Sequence, residues 1–218
     1  MRRGALAVLI PLALLVAIAS GCGSSGSSAG TAGTTRTTTS QSSTTSMFAA
    51  PLAPATPTLA PAFTLNDQFG KPVSLADYRG KAVLLTFLYV DCPDVCPLIS
   101  AALRSTLDRL GPNSEKVQVI AISVDPIGDT PKAVRAYLSA RGMLHRFEYL
   151  VGSRARLAPV WARYHIAAER DAKLKREVGH TGIVMGIDAA GRERTYYPAD
   201  PLKPSWMAHD VPLLAKLR

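Results

Sequence analysis

The sequence predicts an α/β fold: a central mixed β-sheet flanked by helices on both faces, preceded by a β-hairpin. Three observations carry this. Ala82–Tyr89 and Val117–Val124 are nearly uninterrupted apolar runs with the β-branched and aromatic content of strands buried on both faces. Helical patterns alternate with these runs, as in strand–helix–strand units. Clusters of Gly, Pro and Asp punctuate the boundaries.

Taken in order, Phe63–Leu65 and Val73–Leu75 flank the turn signal Asp67–Gly70 and predict the hairpin. After the Ala82 strand, Pro97–Leu110 predicts a helix: Pro97 suits a first turn, Leu103, Leu107 and Leu110 share a face, and Gly111-Pro112 ends it. Thr130-Pro131 opens a second helix to about Arg141, with Gly142 as its stop. Phe147–Val151 predicts a short strand, and Ser153 caps a helix through Tyr164. Ile183–Ile187 and Glu193–Tyr197, joined by Asp188-Ala189-Ala190-Gly191-Arg192, predict a second hairpin. A last helix is expected from about Asp210. No internal repeat is present.

The amino end reads differently. Residues 1–21 have the layout of a lipoprotein-type signal peptide: Arg2 and Arg3, an apolar stretch from Ala5 to Ile18 too short to span a bilayer comfortably, then Ala19-Ser20-Gly21 before Cys22. The expectation is lipidation of Cys22 and an exported domain anchored to the outer face of a bacterial cell membrane; ordinary cleavage nearby and an uncleaved anchor are the alternatives. Residues 22–61, almost entirely Gly, Ser, Thr, Ala and Pro, predict a disordered tether. Residues 62–218 are expected to be one domain. The formal net charge of +9, two of it from Arg2 and Arg3, favours acidic protein surfaces or anionic headgroups as neighbours. Export, and the lack of a dense Lys/Arg block with interleaved aromatics, argue against nucleic acid.

The chemistry concentrates in Val90-Asp91-Cys92-Pro93-Asp94-Val95-Cys96-Pro97-Leu98. Cys92 falls at the carboxyl end of the first buried strand and Cys96 at the start of the next helix. Sites in α/β sheets favour that end, and a helix amino terminus stabilises thiolates. A structural pair needs neither feature. A C-x-x-C spacing would point to a disulfide oxidoreductase. Three intervening residues still allow Cys92 and Cys96 to act as a redox pair, and also leave room for an ion. Of the histidines, His145 is expected in a charged surface turn, His165 at a helix end and His209 in a C-terminal loop. His180 differs: it lies between Gly179 and Gly182, immediately before the Ile183 strand, and reaches the cysteine loop if that strand neighbours the Ala82 strand. Zinc would want a fourth ligand that is not evident. Two soft thiolates and an imidazole suit copper, particularly Cu(I). Asp125, ending the second apolar run, either braces the following turn or stands beside the metal.

Together, Cys92-Pro93-Asp94-Val95-Cys96-Pro97, Ser123-Val124-Asp125-Pro126 with Asp129-Thr130-Pro131, and His180-Thr181 before the strand leading to the Asp188–Gly191 turn resemble the Sco/SenC family. These are thioredoxin-like copper-binding proteins associated with cytochrome c oxidase assembly. The resemblance implies a thioredoxin-like fold and ligation of copper, as Cu(I) or Cu(II), by Cys92, Cys96 and His180, with Asp125 close by. It implies a copper-receiving oxidase subunit as partner, together with a thiol reductant. The rival reading is a thiol–disulfide oxidoreductase that reduces cysteines of that subunit or of another exported protein. Departures are Val90-Asp91, the charged Glu169–Glu177 segment and the Pro-rich Tyr196–Trp206 region.

Overall fold

The computed structural model describes residues 47–170, 178–180 and 182–218. Cys22, the apolar amino-terminal stretch and the tether up to Ser46 lie outside the described residues, as does most of the charged Glu169–Glu177 segment. Among the described residues, no helix is long and apolar enough to cross a membrane.

Strands β1 (Thr64–Asn66) and β2 (Pro72–Ser74) form the expected hairpin, with Leu65 opposite Val73. Asp67 closes its turn by accepting the N–H groups of Phe69 and Lys71, both at 2.8 Å. The central sheet has five strands in the order β5 (Phe147–Leu150), β4 (Val117–Ser123), β3 (Ala82–Leu88), β8 (Ile183–Ile187), β9 (Glu193–Pro198). Strands β3, β4 and β5 run parallel, whereas β8 pairs antiparallel with β3 and β9 antiparallel with β8. Every residue of β3 is buried, which its unbroken apolar run required.

Helix α1 (Val95–Leu110) follows β3, α2 (Pro131–Ala140) follows β4 and α3 (Arg154–Arg163) follows β5. Cys96, Ile99, Leu103, Leu107 and Leu110 form the buried stripe of α1, at the three- and four-residue spacing of a helix face. Thr130 caps α2 by accepting the Ala133 N–H at 3.2 Å, with Pro131 at the first helical position. Tyr164, just beyond α3, packs its ring 5.6 Å from Phe87 of β3. The opposite face of the sheet receives α4 (Pro204–Leu214): a Cβ added to Gly186, which pairs with Leu84, would meet Leu214 Cδ1 at 3.0 Å. Helices therefore cover both faces, as expected.

Three features depart from the sequence reading. Helix α4 starts at Pro204 rather than near Asp210, so His209 sits on a helix and not in a loop. The Pro-rich stretch supplies its first helical residue, where a missing N–H costs nothing. A two-stranded ribbon, β6 (Ala168–Arg170) with β7 (Val178–His180), precedes β8. Third, residues from Phe48 to Pro61, expected as tether, lie against the domain. The Leu52 and Thr58 carbonyls accept the N–H groups of Tyr196 and Glu193 at 2.8 and 2.9 Å, which covers the outer edge of β9. Ala49 and Ala50 donate their N–H groups to the two carboxylate oxygens of Asp210 at 2.6 and 2.9 Å. That carboxylate is fully buried and also accepts the Tyr197 hydroxyl at 2.9 Å, with His209 Nδ1 at 2.7 Å.

Candidate functional site

The carboxyl ends of β3 and β4 lie side by side, with Leu88 opposite Ser123. The chain leaving β3 forms the cysteine loop there. Cys92 N–H donates to the Tyr89 carbonyl at 3.4 Å, a tight turn that brings Cys92 back over the start of α1. Cys96 N–H then donates to Cys92 Sγ at 3.4 Å. That sulfur takes the place of a helix-capping side chain, since Asp94 at the N-cap position makes no such bond. This explains why α1 begins at Val95, two residues before the proline that was expected to open it.

Both cysteines are thiols rather than a disulfide, and both are buried, Cys92 to 8 % exposure and Cys96 completely. The hydrogen bond to Cys92, then burial, pushes the Cys96 thiol far above the usual thiol range. The expected lowering at a helix amino terminus is thus overridden at Cys96. Its proton is held between two sulfurs in a site poor in water, and removing it takes a partner with strong affinity for thiolate. A soft metal ion is such a partner, because it displaces the proton as it binds. Two sulfurs one helical turn apart and already in hydrogen-bond contact fit such an ion. Around them, Tyr137 of α2 shares a hydrogen bond with Ser100 at 2.8 Å and donates to the Cys96 carbonyl at 3.4 Å.

Strand β8 is the antiparallel neighbour of β3, with Thr86 opposite Val184, so the condition that brings the His180 segment toward the cysteines is met. The His180 backbone pairs with Ala168 in the β6–β7 ribbon. Two residues on, Gly182 passes the cysteine loop: a Cβ placed on it would stand 3.7 Å from Val95 Cγ2 and 2.9 Å from Ala199 Cβ. Hydrogen bonds from Ala199 N–H to the Gly182 carbonyl (3.0 Å) and from Thr86 Oγ1 to the Ile183 carbonyl (2.8 Å) hold this approach in place. Among the described residues, no three His, Cys, Asp or Glu side chains cluster as a metal site; the His180 side chain lies outside that description.

Asp125 is buried and turns back on its own loop, where Oδ1 accepts the Ile127 N–H at 3.1 Å. With Pro126, Ser153, Arg154 and Ala168 it lines a cavity of about 380 Å³ beside the ribbon that carries His180. His145 stacks on Phe69, with ring centroids 5.7 Å apart, and His165 holds a positive φ of 55° after α3. Neither histidine belongs to the cysteine site. One residue singled out here by the structure was not weighed as a site residue in the sequence: Asp129, 3 % exposed, whose carboxylate accepts the Val90 N–H and the Tyr149 hydroxyl. Its position just before the Thr130-Pro131 helix start was the available signal.

A family model described as SCO1/SenC matches residues 53–215. The chain belongs to the SCO1/SenC family. Its fold is that of the thioredoxin-like Sco structures: the structure of Bradyrhizobium japonicum ScoI with copper bound is 31% identical, with a TM-score of 0.64, over 72% of this chain and 99% of that one. Among curated relatives, Protein SCO2, mitochondrial, of Saccharomyces cerevisiae is 37% identical over 135 residues, which are 60% of this chain and 44% of that protein. The SCO1 protein homolog of Bacillus subtilis is 33% identical over 75 residues, 34% of this chain and 39% of its own length. The chain thus spans less than half the length of these two relatives.

Proposed function

We propose that this SCO1/SenC protein is a membrane-tethered copper chaperone that holds copper through Cys92, Cys96 and His180 and assists assembly of the copper centre of cytochrome c oxidase. The observation that carries the reading is the pair of sulfurs in contact at the carboxyl edge of β3, in a chain related to a copper-bound ScoI. Copper is the cargo. The chain's own part is to present two thiolates from one helical turn and an imidazole from the segment that passes Val95. Asp125 stands near enough to the His180 ribbon to adjust the local charge. The recipient is a copper-accepting oxidase subunit, and an external thiol reductant keeps the two cysteines able to bind. Cys22 carries the lipid, which places the domain on the outer face of a bacterial cell membrane. Replacing Cys22 by Ala is expected to move the protein from the membrane fraction to the soluble one.

A thiol–disulfide oxidoreductase is the second reading, favoured by the same sulfur contact, because thiols this close are poised to form a disulfide. One titration separates the two. Reduced protein beginning at Ser43 is titrated with Cu(I) against a competing chelator, beside Cys92→Ser, Cys96→Ser and His180→Ala. The chaperone reading predicts one tightly held copper per chain, lost in either serine variant and weakened in His180→Ala. Binding no tighter than that of two ordinary thiols, unchanged by loss of His180, would hand the lead to the oxidoreductase.

A further inference from the structure

We propose that Asp129 is a positioning residue for the copper ligands, fixing the backbone from which the cysteine loop springs. The inference rests on the reading of Cys92 and Cys96 as copper ligands.

The geometry starts at Val90, the second residue beyond β3 and two before Cys92. Its N–H, past the last paired residue of β3, donates to Asp129 Oδ1 at 2.9 Å. The bonds from Cys92 N–H to the Tyr89 carbonyl and from Cys96 N–H to Cys92 Sγ are internal to the loop and cannot by themselves set its place on the sheet. The bond to Asp129 can, because Asp129 is itself held from three sides. Its Oδ2 accepts the Tyr149 hydroxyl at 3.0 Å, from a fully buried side chain on β5. Tyr149 N–H donates to Gln68 Oε1 at 2.8 Å, and Gln68 in turn donates to the Phe147 carbonyl at 2.9 Å. Asp129 N–H donates to the Asp125 carbonyl at 2.9 Å, and the next residue, Thr130, caps α2. One carboxylate therefore joins the root of the cysteine loop to β5 and to the start of α2.

A two-sulfur site tolerates little misplacement, and hydrogen-bond partners that hold ligands in register typically carry a 10–100-fold effect on metal affinity. Asp125, the carboxylate the sequence singled out, accepts the Ile127 N–H within its own turn, and Asp129 accepts the Val90 N–H at the root of the loop.

The test compares wild type with Asp129→Ala, Asp129→Asn and Tyr149→Phe in the chain beginning at Ser43. Three measurements are made: Cu(I) affinity by competition, iodoacetamide alkylation rates of Cys92 and Cys96 without copper, and urea unfolding. Asp129→Ala is expected to weaken copper binding about 10–100-fold and to speed alkylation of Cys96. Asp129→Asn keeps an acceptor for the Val90 N–H and should stay within about 3-fold of wild type. Tyr149→Phe removes one of the bonds that hold the same carboxylate but leaves the Val90 bond; it should lose stability and weaken copper binding clearly less than Asp129→Ala does. Where the alanine variant fails to fold, Asp129→Ser, whose side chain stops short of Val90, carries the same comparison. A folded Asp129→Ala or Asp129→Ser with wild-type affinity and alkylation overturns the proposal. So does a Tyr149→Phe variant that loses as much affinity, since Asp129 would then be only a buried structural group. Absence of tight copper binding in wild type would refute the chaperone reading instead, while the alkylation rates would still report on positioning.

Discussion

Starting the chain at Ala62 cuts away residues that the sequence reads as tether and the structure fastens to the domain. The consequence is largest at Asp210. Its carboxylate is fully buried and takes two of its hydrogen bonds from the backbone N–H groups of Ala49 and Ala50. Hydrogen bonds to a charged group contribute about 1.5–3 kcal/mol each, so losing both donors costs at most about 3–6 kcal/mol. Water entering beside Asp210 recovers part of this, which leaves about 3 kcal/mol. For a domain of this size each kcal/mol shifts Tm by about 2–4 °C, so the truncated domain should melt about 6–12 °C below a chain starting at Ser43. Asp210→Ala in the longer chain removes those two contacts from the other side, together with the Tyr197 and His209 bonds, and should cost at least as much. Combining the two should cost less than the sum of the separate losses, because they share the Ala49 and Ala50 bonds. Urea unfolding of the four proteins measures this. Equal midpoints for the two chain lengths, or full additivity of truncation with Asp210→Ala, would refute the reasoning that this carboxylate clamps the arm.

Two further outcomes concern the interior. Gly186→Ala should destabilise by about 1–3 kcal/mol, because the new methyl would overlap Thr195 Oγ1 and press on Leu214 Cδ1, both on fully buried residues; a urea midpoint equal to wild type would show that the sheet and α4 part freely there. Burial raises the Asp129 carboxyl from 3.8 to about 7, with the Asp125 charge adding to the rise. The unfolded chain then loses this proton near pH 4 and the folded one near pH 7. Stability should fall with pH between those values, by an amount on the order of 2–4 kcal/mol, and stay low above them. Asp129→Asn should flatten that slope; an unchanged slope in chemical unfolding between pH 4 and 8 would assign it to other groups.

How much of this was legible depended on whether the signal was local. The unbroken apolar runs of β3 and β4 and the Leu103, Leu107 and Leu110 stripe of α1 announce themselves, because burial on two faces or on one helical face leaves a pattern within a few residues. So did the turn from Asp188 to Arg192, where Asp188 accepts the Arg192 N–H at 2.8 Å and pairs with Arg194 at 2.6 Å, and where Gly191 holds φ at +80°. The arm was not legible. Residues 48–61 have the composition of a linker, and their anchor, Asp210, lies about 160 positions away. The β6–β7 ribbon has strands of three residues, too short for a period to show. In the site, the cysteines were found by spacing and placement. Asp129 was passed over because a buried, doubly bonded carboxylate and a solvated loop carboxylate read alike in sequence. The low thiol pKa expected at a helix start failed at Cys96 for a related reason: the neighbour that sets its proton is the other sulfur, and only the folded loop shows the two in contact.

The central claim is that copper is held by two sulfurs and one imidazole, and X-ray absorption at the copper edge tests it most directly. On the Cu(I)-loaded chain beginning at Ser43, the account predicts two sulfur ligands and one imidazole nitrogen, with the nitrogen contribution lost in His180→Ala. A copper bound without both sulfurs, or a spectrum that His180→Ala leaves unchanged, would contradict it.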